Sequence, residues 1–273
     1  MNLDAALDLL SKEPQAPLDV AELALWLARD EYPSLDVEAA LAELNALAHD
    51  ARRVIRGDFE SQVNGLCRFL FHELGLHGNT RDYYDPRNSY FNQVLERRTG
   101  IPISLSAVTM AIGARVGIHI DGVGLPGHFI VRATSNGDEV LLDPFHGGRV
   151  LTRQDCENVV RQVTGIEFEA TQANLGAIPL GLMVQRMLNN LKTIYLKAED
   201  FPRAIRVMER LRQLKPEDVQ QRRDLAGALL RVGEPGKAVD HFHAYLAAAS
   251  EADDADAVRG LLREALRRVA ERN

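Results

Sequence analysis

A histidine and an aspartate lie on either side of a predicted turn in the middle of the sequence. Segment 135–138 reads SNGD, and Asn-Gly between two strand-like segments is a strong signal for a two-residue hairpin. With Asn136 and Gly137 at its centre, the register places His128 and Asp143 diagonally on one face, with Cβ atoms roughly 5–7 Å apart. An imidazole and a carboxylate at that spacing can hydrogen bond. The pair is then either part of a ligand or catalytic pocket, or purely structural.

A third side chain near this pair could complete a metal site. His146 follows Asp143 by three residues, and imidazole and carboxylate groups suit zinc. The i, i+4 spacing that is typical of tight helical zinc motifs is missing here. We therefore expect no metal and no organic cofactor.

The two cysteines are poor candidates for a nucleophile. Cys67 falls on the apolar face of a predicted helix with Val63 and Leu66, which indicates a buried core side chain. Cys156 has Arg153 as its only basic neighbour, and one arginine is weak activation for a thiol. Two cysteines cannot form a disulfide framework, which fits a reducing cytoplasm.

Helical periodicity dominates the first 75 residues, where the pattern predicts helices that begin near Leu3, Asp19, Asp36 and Asp58. The middle of the chain differs. A helix from about Leu105 to Val116 precedes three strand-like segments, at 119–123, 128–133 and 139–142. The middle segment is therefore predicted to be a helix packed on an antiparallel sheet.

From about residue 180 the chain is helical again and repeats with the 34-residue period of tetratricopeptide hairpins. The matching positions are Leu191, Tyr195, Ala204, Met208 and Leu211, followed by Leu225, Leu229, Ala238, Phe242 and Tyr245. The two small alanines let the helices of each hairpin approach closely. Residues 255–270 are predicted to form a capping helix that carries the apolar residues Ala257, Leu261, Leu262 and Leu266.

Four motifs in the middle segment resemble those of the bacterial SirB1-type family. They are Asn88-Ser89-Tyr90, Gly100-Ile101-Pro102, Pro126-Gly127-His128-Phe129 and Asp143-Pro144-Phe145. The resemblance covers roughly residues 20–250 and implies a transglutaminase-like, papain-related core with C-terminal tetratricopeptide-like repeats. The expected fold class is α+β. A helical region spans residues 1–75, the core spans 76–175, and two repeats with a capping helix span 180–273.

The resemblance also implies a Cys-His-Asp triad, in which the cysteine opens a helix. His128 and Asp143 match the second and third positions, but segment 100–104 (GIPIS) has no cysteine at the first. Ser104 is the nearest residue with nucleophile chemistry, and Ser106 is the second. If the resemblance holds, the helix at Ser104 covers the sheet face that carries His128. The candidate site is thus a remnant triad of Ser104, His128 and Asp143, unless the Ser104 hydroxyl is only an N-cap.

Two functions from different classes follow. We expect a regulatory protein-binding or scaffolding protein, in which the repeat groove holds a protein or peptide partner and the core is a degenerate enzyme. The alternative is an amide- or peptide-processing enzyme that uses Ser104, His128 and Asp143. The missing thiol favours the first.

Composition excludes several other classes. Hydrophobic residues make up 46% and charged residues 26%, the balance of a globular protein. The formal charge of −7 argues against a general nucleic-acid binder. The sequence contains no run of ~18 uncharged apolar residues, and its N-terminus lacks the pattern of a secretory signal. We therefore expect a cytoplasmic protein that binds no membrane.

Overall fold

The computed structural model describes residues 1–272, and the chain forms two compact units. The first unit consists of Met1–Ala6 and Gln15–Met187, and the second of Leu7–Pro14 and the chain from Leu188 onward. The fold class is α+β, as predicted, with a small antiparallel sheet in the first unit and helices throughout the second. None of the helices within residues 1–272 has the length and apolar character needed to cross a bilayer.

Aspartate caps begin three of the four predicted N-terminal helices. The Asp19, Asp36 and Asp58 side chains accept hydrogen bonds from backbone N–H groups in the first turns that follow them. The helices up to the sheet are α1 Leu3–Lys12, α2 Val20–Arg29, α3 Val37–Ala51, α4 Phe59–Cys67, α5 Phe91–Arg97 and α6 Pro102–Val116.

The predicted helix over residues 58–74 changes its winding after Cys67. Arg68–Glu73 form a π-helix, in which the consecutive residues Phe69, Leu70 and Phe71 are all buried. A π-helix closes its turns with i→i+5 hydrogen bonds, so the wider winding shifts the helical face by about one residue at this point.

The predicted hairpin is present with its expected register. Ser135 pairs with Asp138 and Val131 pairs with Leu142 across the turn. Asn136 and Gly137 both have positive φ, 49° and 96°, as a type I′ turn requires. The four-stranded sheet has the order β3-β4-β5-β6, and a separate parallel pair of two-residue strands, β1-β2, was not predicted. The strands are β1 His77–Gly78, β2 Thr99–Gly100, β3 His119–Leu125, β4 His128–Ser135, β5 Asp138–Asp143 and β6 Arg149–Leu151.

The two faces of this sheet are covered by different helices. A Cβ added to Gly122 would stand 2.8 Å from the Phe129 ring and 3.6 Å from the sulfur of Met110, so α6 packs on the Phe129 face. Ile130, on the opposite face, lies in a buried cluster with Cys156 of α7 (Arg153–Thr164). The expectation that α6 covers the face of His128 and Ile130 is therefore wrong, and α7, which was not predicted, covers that face.

The repeat pattern predicted the interior of the helical hairpins correctly. Ala204 and Ala238 are fully buried, and all the other apolar positions of the two repeats are buried as well. The helices are α8 Leu180–Lys197, α9 Phe201–Leu214, α10 Val219–Arg231, α11 Pro235–Ala248 and α12 Ala255–Ala270.

The predicted capping helix is α12, and only some of its apolar residues are buried. Leu261 and Leu266 are 38% and 45% exposed, while Val258 and Leu262 are buried. Of the four apolar residues that mark the predicted capping helix, only Leu262 is buried. Two neighbouring apolar stripes compete on this helix, and packing selects the one that contains the smaller Ala255 and Ala265.

We predict that Ala238→Leu destabilises the second unit. Ala238 is fully buried between helices, so a larger side chain has to displace its neighbours, at a cost of about 1–3 kcal/mol. Ala247→Leu, at an exposed position of the same helix, is the matched control and should change stability by less than about 0.5 kcal/mol. Urea unfolding monitored by circular dichroism measures both, and equal effects would contradict the assigned helix packing.

Candidate functional site

The structure joins His128 and Asp143 by a buried hydrogen bond, as the hairpin register predicted. His128 Nε2 lies 2.9 Å from Asp143 Oδ2. The two residues are only 5% and 1% exposed. His128 opens β4 and Asp143 closes β5, so the hairpin itself brings the two side chains together.

The Asp143 carboxylate accepts hydrogen bonds at both of its oxygens. Oδ1 accepts from the backbone N–H of Phe145 at 3.0 Å and of His146 at 3.3 Å, which caps a 3₁₀ turn over Pro144–His146. Oδ2 lies 2.7 Å from Nδ1 of His146 as well as close to His128. Burial alone would raise the pKa of Asp143, but the hydrogen bonds and charge interactions of the two histidines outweigh it and lower the pKa. The carboxylate is therefore held in its ionised form.

Aromatic rings surround the pair on one side. The Phe145 ring meets the His128 imidazole edge-on, with ring centroids 6.2 Å apart. The ring centroid of Tyr83 lies 6.1 Å from that of Phe145. Tyr83 and Tyr84, which are exposed, pack edge-to-face at 5.4 Å. The tyrosine-rich loop before α5 thus forms an aromatic wall beside the imidazole rather than an isolated surface loop.

Ser104 is fully buried, and its hydroxyl is bound to the main chain. Its Oγ donates to the carbonyl oxygen of Asn88 at 2.6 Å and accepts from the N–H of Ile101 at 3.0 Å. Ile101, not Ser104, is the N-cap of α6, so Ser104 bonds back to the cap from the third helical position. The structure gives Ser104 no hydrogen bond to His128. The N-cap interpretation of Ser104 is therefore wrong, although its hydroxyl is bonded to the main chain at the start of the helix.

Neither cysteine is an activated thiol. Burial raises the pKa of Cys67 to about 12. Burial also raises the pKa of Cys156 to about 11, with smaller contributions from the negative charges of Asp155 and Asp143. Cys156 is fully buried, whereas Cys67 is only half-buried, with its sulfur beside Gly148. The interpretation of Cys67 as a fully buried core residue therefore holds only in part.

Family models account for most of the chain. The model of the transglutaminase-like superfamily matches residues 38–189, which is more than half of the sequence, and a tetratricopeptide repeat model matches residues 191–263. A UPF0162 protein of Xylella fastidiosa (strain Temecula1) is 35% identical over 254 residues, 90% of this chain and 89% of that protein. This chain belongs to the UPF0162 family, within the transglutaminase-like superfamily.

Two more distant similarities extend beyond bacteria. Human F-box only protein 21 is 30% identical to this UPF0162 protein over 200 residues, which cover 68% of this chain and 30% of the human protein. Among solved structures, a crystal structure of menin with the binding site for the Mixed Lineage Leukemia protein aligns with 88% of this chain and 68% of its own. Its TM-score of 0.41 and identity of 12% are too low to carry an argument. The more specific SirB1 resemblance stays a prediction.

Two residues near the site of this UPF0162 protein make contacts that the sequence did not predict. Asn88, named above only as part of a family motif, is fully buried, and its main-chain carbonyl oxygen accepts a hydrogen bond from the Ser104 hydroxyl. Arg186 of α8 donates to the carbonyl oxygens of Leu125 and His128, at 2.9 and 2.7 Å, and so fixes the ends of β3 and β4. No short motif signals such a contact, because 58 residues separate Arg186 from His128.

We predict that Ser104→Ala and Ser106→Ala differ in effect although both serines are fully buried in α6. The Ser104 hydroxyl has main-chain partners, so its removal should cost about 1–3 kcal/mol by leaving the Ile101 N–H unsatisfied. Within residues 1–272 the Ser106 hydroxyl has no partner, so its removal should be neutral or stabilising. Denaturant unfolding of the two variants measures this difference, and a larger loss for Ser106→Ala would contradict the assignment of Ser104.

Proposed function

We propose that this UPF0162 protein is a regulatory protein-binding scaffold whose transglutaminase-like core is not a catalyst. The observation that carries the proposal is the state of Ser104. The residue nearest the nucleophile position of the family is buried and gives its hydroxyl proton to a main-chain carbonyl. An activated nucleophile must instead present its proton to a base such as His128.

The remaining pair does not need a catalytic role to be retained. Asp143 caps the turn after β5, and His128 satisfies the buried carboxylate. Neither thiol supplies a substitute nucleophile, because each has a pKa above its usual range. The alternative assignment, an amide- or peptide-processing enzyme that uses Ser104, His128 and Asp143, requires Ser104 to exchange its Asn88 contact for one with His128.

Buried polar bonds inside the second unit hold the helices of successive repeats together, which supports the proposed partner binding. The ammonium group of Lys192 on α8 bonds to Gln221 at 2.8 Å and to Asp224 at 2.5 Å on α10. Arg223 links Asp224 to Asp254, the residue before α12. These bonds join the first helices of successive repeats, and stacked hairpins of this type provide an extended groove for a protein or peptide.

One surface position recurs in both repeats and offers a direct test. Thr193 on α8 and Gly227 on α10 occupy the same position, one 34-residue period apart. Thr193 is exposed, and a Cβ added to Gly227 would have no atom within 4 Å. Larger side chains therefore fit there without a clash. We also propose a cytoplasmic location for the protein, since both cysteines are free thiols.

The test uses the full chain as bait for proteins of its host. The double variant Thr193→Arg/Gly227→Arg should keep the fold, since Gly227→Arg also gains about 1 kcal/mol of helix propensity. We expect it to lose the partners that the unaltered chain retains. Ala247→Arg, an exposed change on the second helix of a repeat, is the matched control and should retain them. Quantitative mass spectrometry of the captured proteins measures the difference.

Two outcomes would contradict the proposal. An identical set of captured proteins for the unaltered chain and the double variant would exclude binding at this face of the repeats. Amidase or transglutaminase turnover that Ser104→Ala abolishes, in a variant that melts as a folded protein, would establish the enzyme instead.

A further inference from the structure

Two imidazoles converge on one carboxylate oxygen at the end of the hairpin. Nε2 of His128 and Nδ1 of His146 lie 2.9 and 2.7 Å from Oδ2 of Asp143. One ligand atom from each of the three residues lies within 4.8 Å of the other two. Two imidazoles and one carboxylate form a donor set that borderline divalent metals such as Zn²⁺ use in proteins.

The surroundings hold the ligands in this orientation. The second carboxylate oxygen of Asp143 accepts two backbone N–H groups, which turns Oδ2 toward the two histidines. The His128 ring packs edge-on against Phe145, so it too has one preferred orientation. Such outer contacts are what orient the ligands in protein metal sites.

Access to the site is open on one side only. His128 and Asp143 are buried, while the side chain of His146 is 55% exposed. An ion can therefore arrive from solvent at His146 and keep water as a remaining ligand. Three protein ligands and an open position are typical of exchangeable or catalytic zinc sites, whereas structural sites are closed by four protein ligands.

We propose that His128, Asp143 and His146 form a binding site for one divalent transition-metal ion of the Zn²⁺ class. At Zn–N and Zn–O distances of about 2.0–2.2 Å, tetrahedral ligand atoms stand about 3.3 Å apart. Each nitrogen moves back from Oδ2 by a few tenths of an ångström, and the exposed His146 ring can make that shift. The ion replaces the protons that the rings now share with the carboxylate, and these protons pass to solvent.

This site does not depend on the proposed partner binding. It uses side chains of the first unit, whereas the partner surface lies on α8 and α10 in the second. It also gives His146 a role that the remnant triad leaves unassigned, and it occupies His128 Nε2, the nitrogen that now bonds Asp143. Binding of a metal and capture of a partner can therefore succeed or fail separately.

The experiment titrates Zn²⁺ into the full chain, prepared without a polyhistidine tag and stripped with a chelator. Competition with a chromophoric chelator should give one bound Zn²⁺ per chain. His146→Ala should weaken the affinity at least tenfold without loss of the fold, because His146 is exposed. His243→Ala removes an exposed histidine of α11 and is the matched control, for which the affinity should not change. Co²⁺ in place of Zn²⁺ should give visible d–d absorption that His146→Ala abolishes.

Either of two results would overturn the site. One is no stoichiometric Zn²⁺ binding by the unaltered chain, which would leave the three side chains as a hydrogen-bonded cluster only. The other is equal affinity in His146→Ala and His243→Ala, which would place the bound ion elsewhere. Circular dichroism melting of both variants checks that the comparison is made between folded proteins.

Discussion

The buried carboxylate of Asp143 is the interaction on which the candidate site depends. It lies at the end of β5, caps the turn that follows, and binds the histidine that opens β4. A buried carboxylate is tolerated only when hydrogen bonds satisfy it, and here two N–H groups and two imidazoles do so. Each carboxylate oxygen thus has two hydrogen-bond partners, and the His128–Asp143 pair stabilises the fold whether or not it performs chemistry.

Because the His128–Asp143 pair has this structural role, its presence alone does not make the core a catalyst. In the triad of hydrolases, the carboxylate orients an imidazole that takes a proton from the nucleophile. The core of this UPF0162 protein has the first part of that chain of contacts, but the Ser104 hydroxyl serves the start of α6 and the main chain of Asn88. The hydrogen bond between His128 and Asp143 is thus present, whereas the Ser104 hydroxyl is bonded to the main chain and not to His128.

Local signals predicted the parts of the fold that depend on local geometry. Asn136-Gly137 fixes its own turn and thereby the register that pairs His128 with Asp143, and the repeat period fixes which positions are buried in the hairpins. The elements that the sequence did not predict depend on tertiary contacts. Strand β6, the two-residue pair β1-β2 and helix α7 have few apolar residues of their own, and α7 buries only Cys156 and Val160. The Ser104 hydroxyl finds Asn88 16 residues away, which no spacing rule specifies.

Covalent trapping shows whether the core has an activated nucleophile. The folded full chain is incubated near neutral pH with a serine-reactive fluorophosphonate and, separately, with a cysteine-reactive acylating probe, and then analysed by intact-mass and peptide mass spectrometry. We expect no adduct at Ser104 and none at Cys67, whose raised pKa leaves roughly a thousandfold less thiolate than an ordinary cysteine has. An adduct at either residue that disappears in a folded His128→Ala variant would instead show a nucleophile that His128 activates.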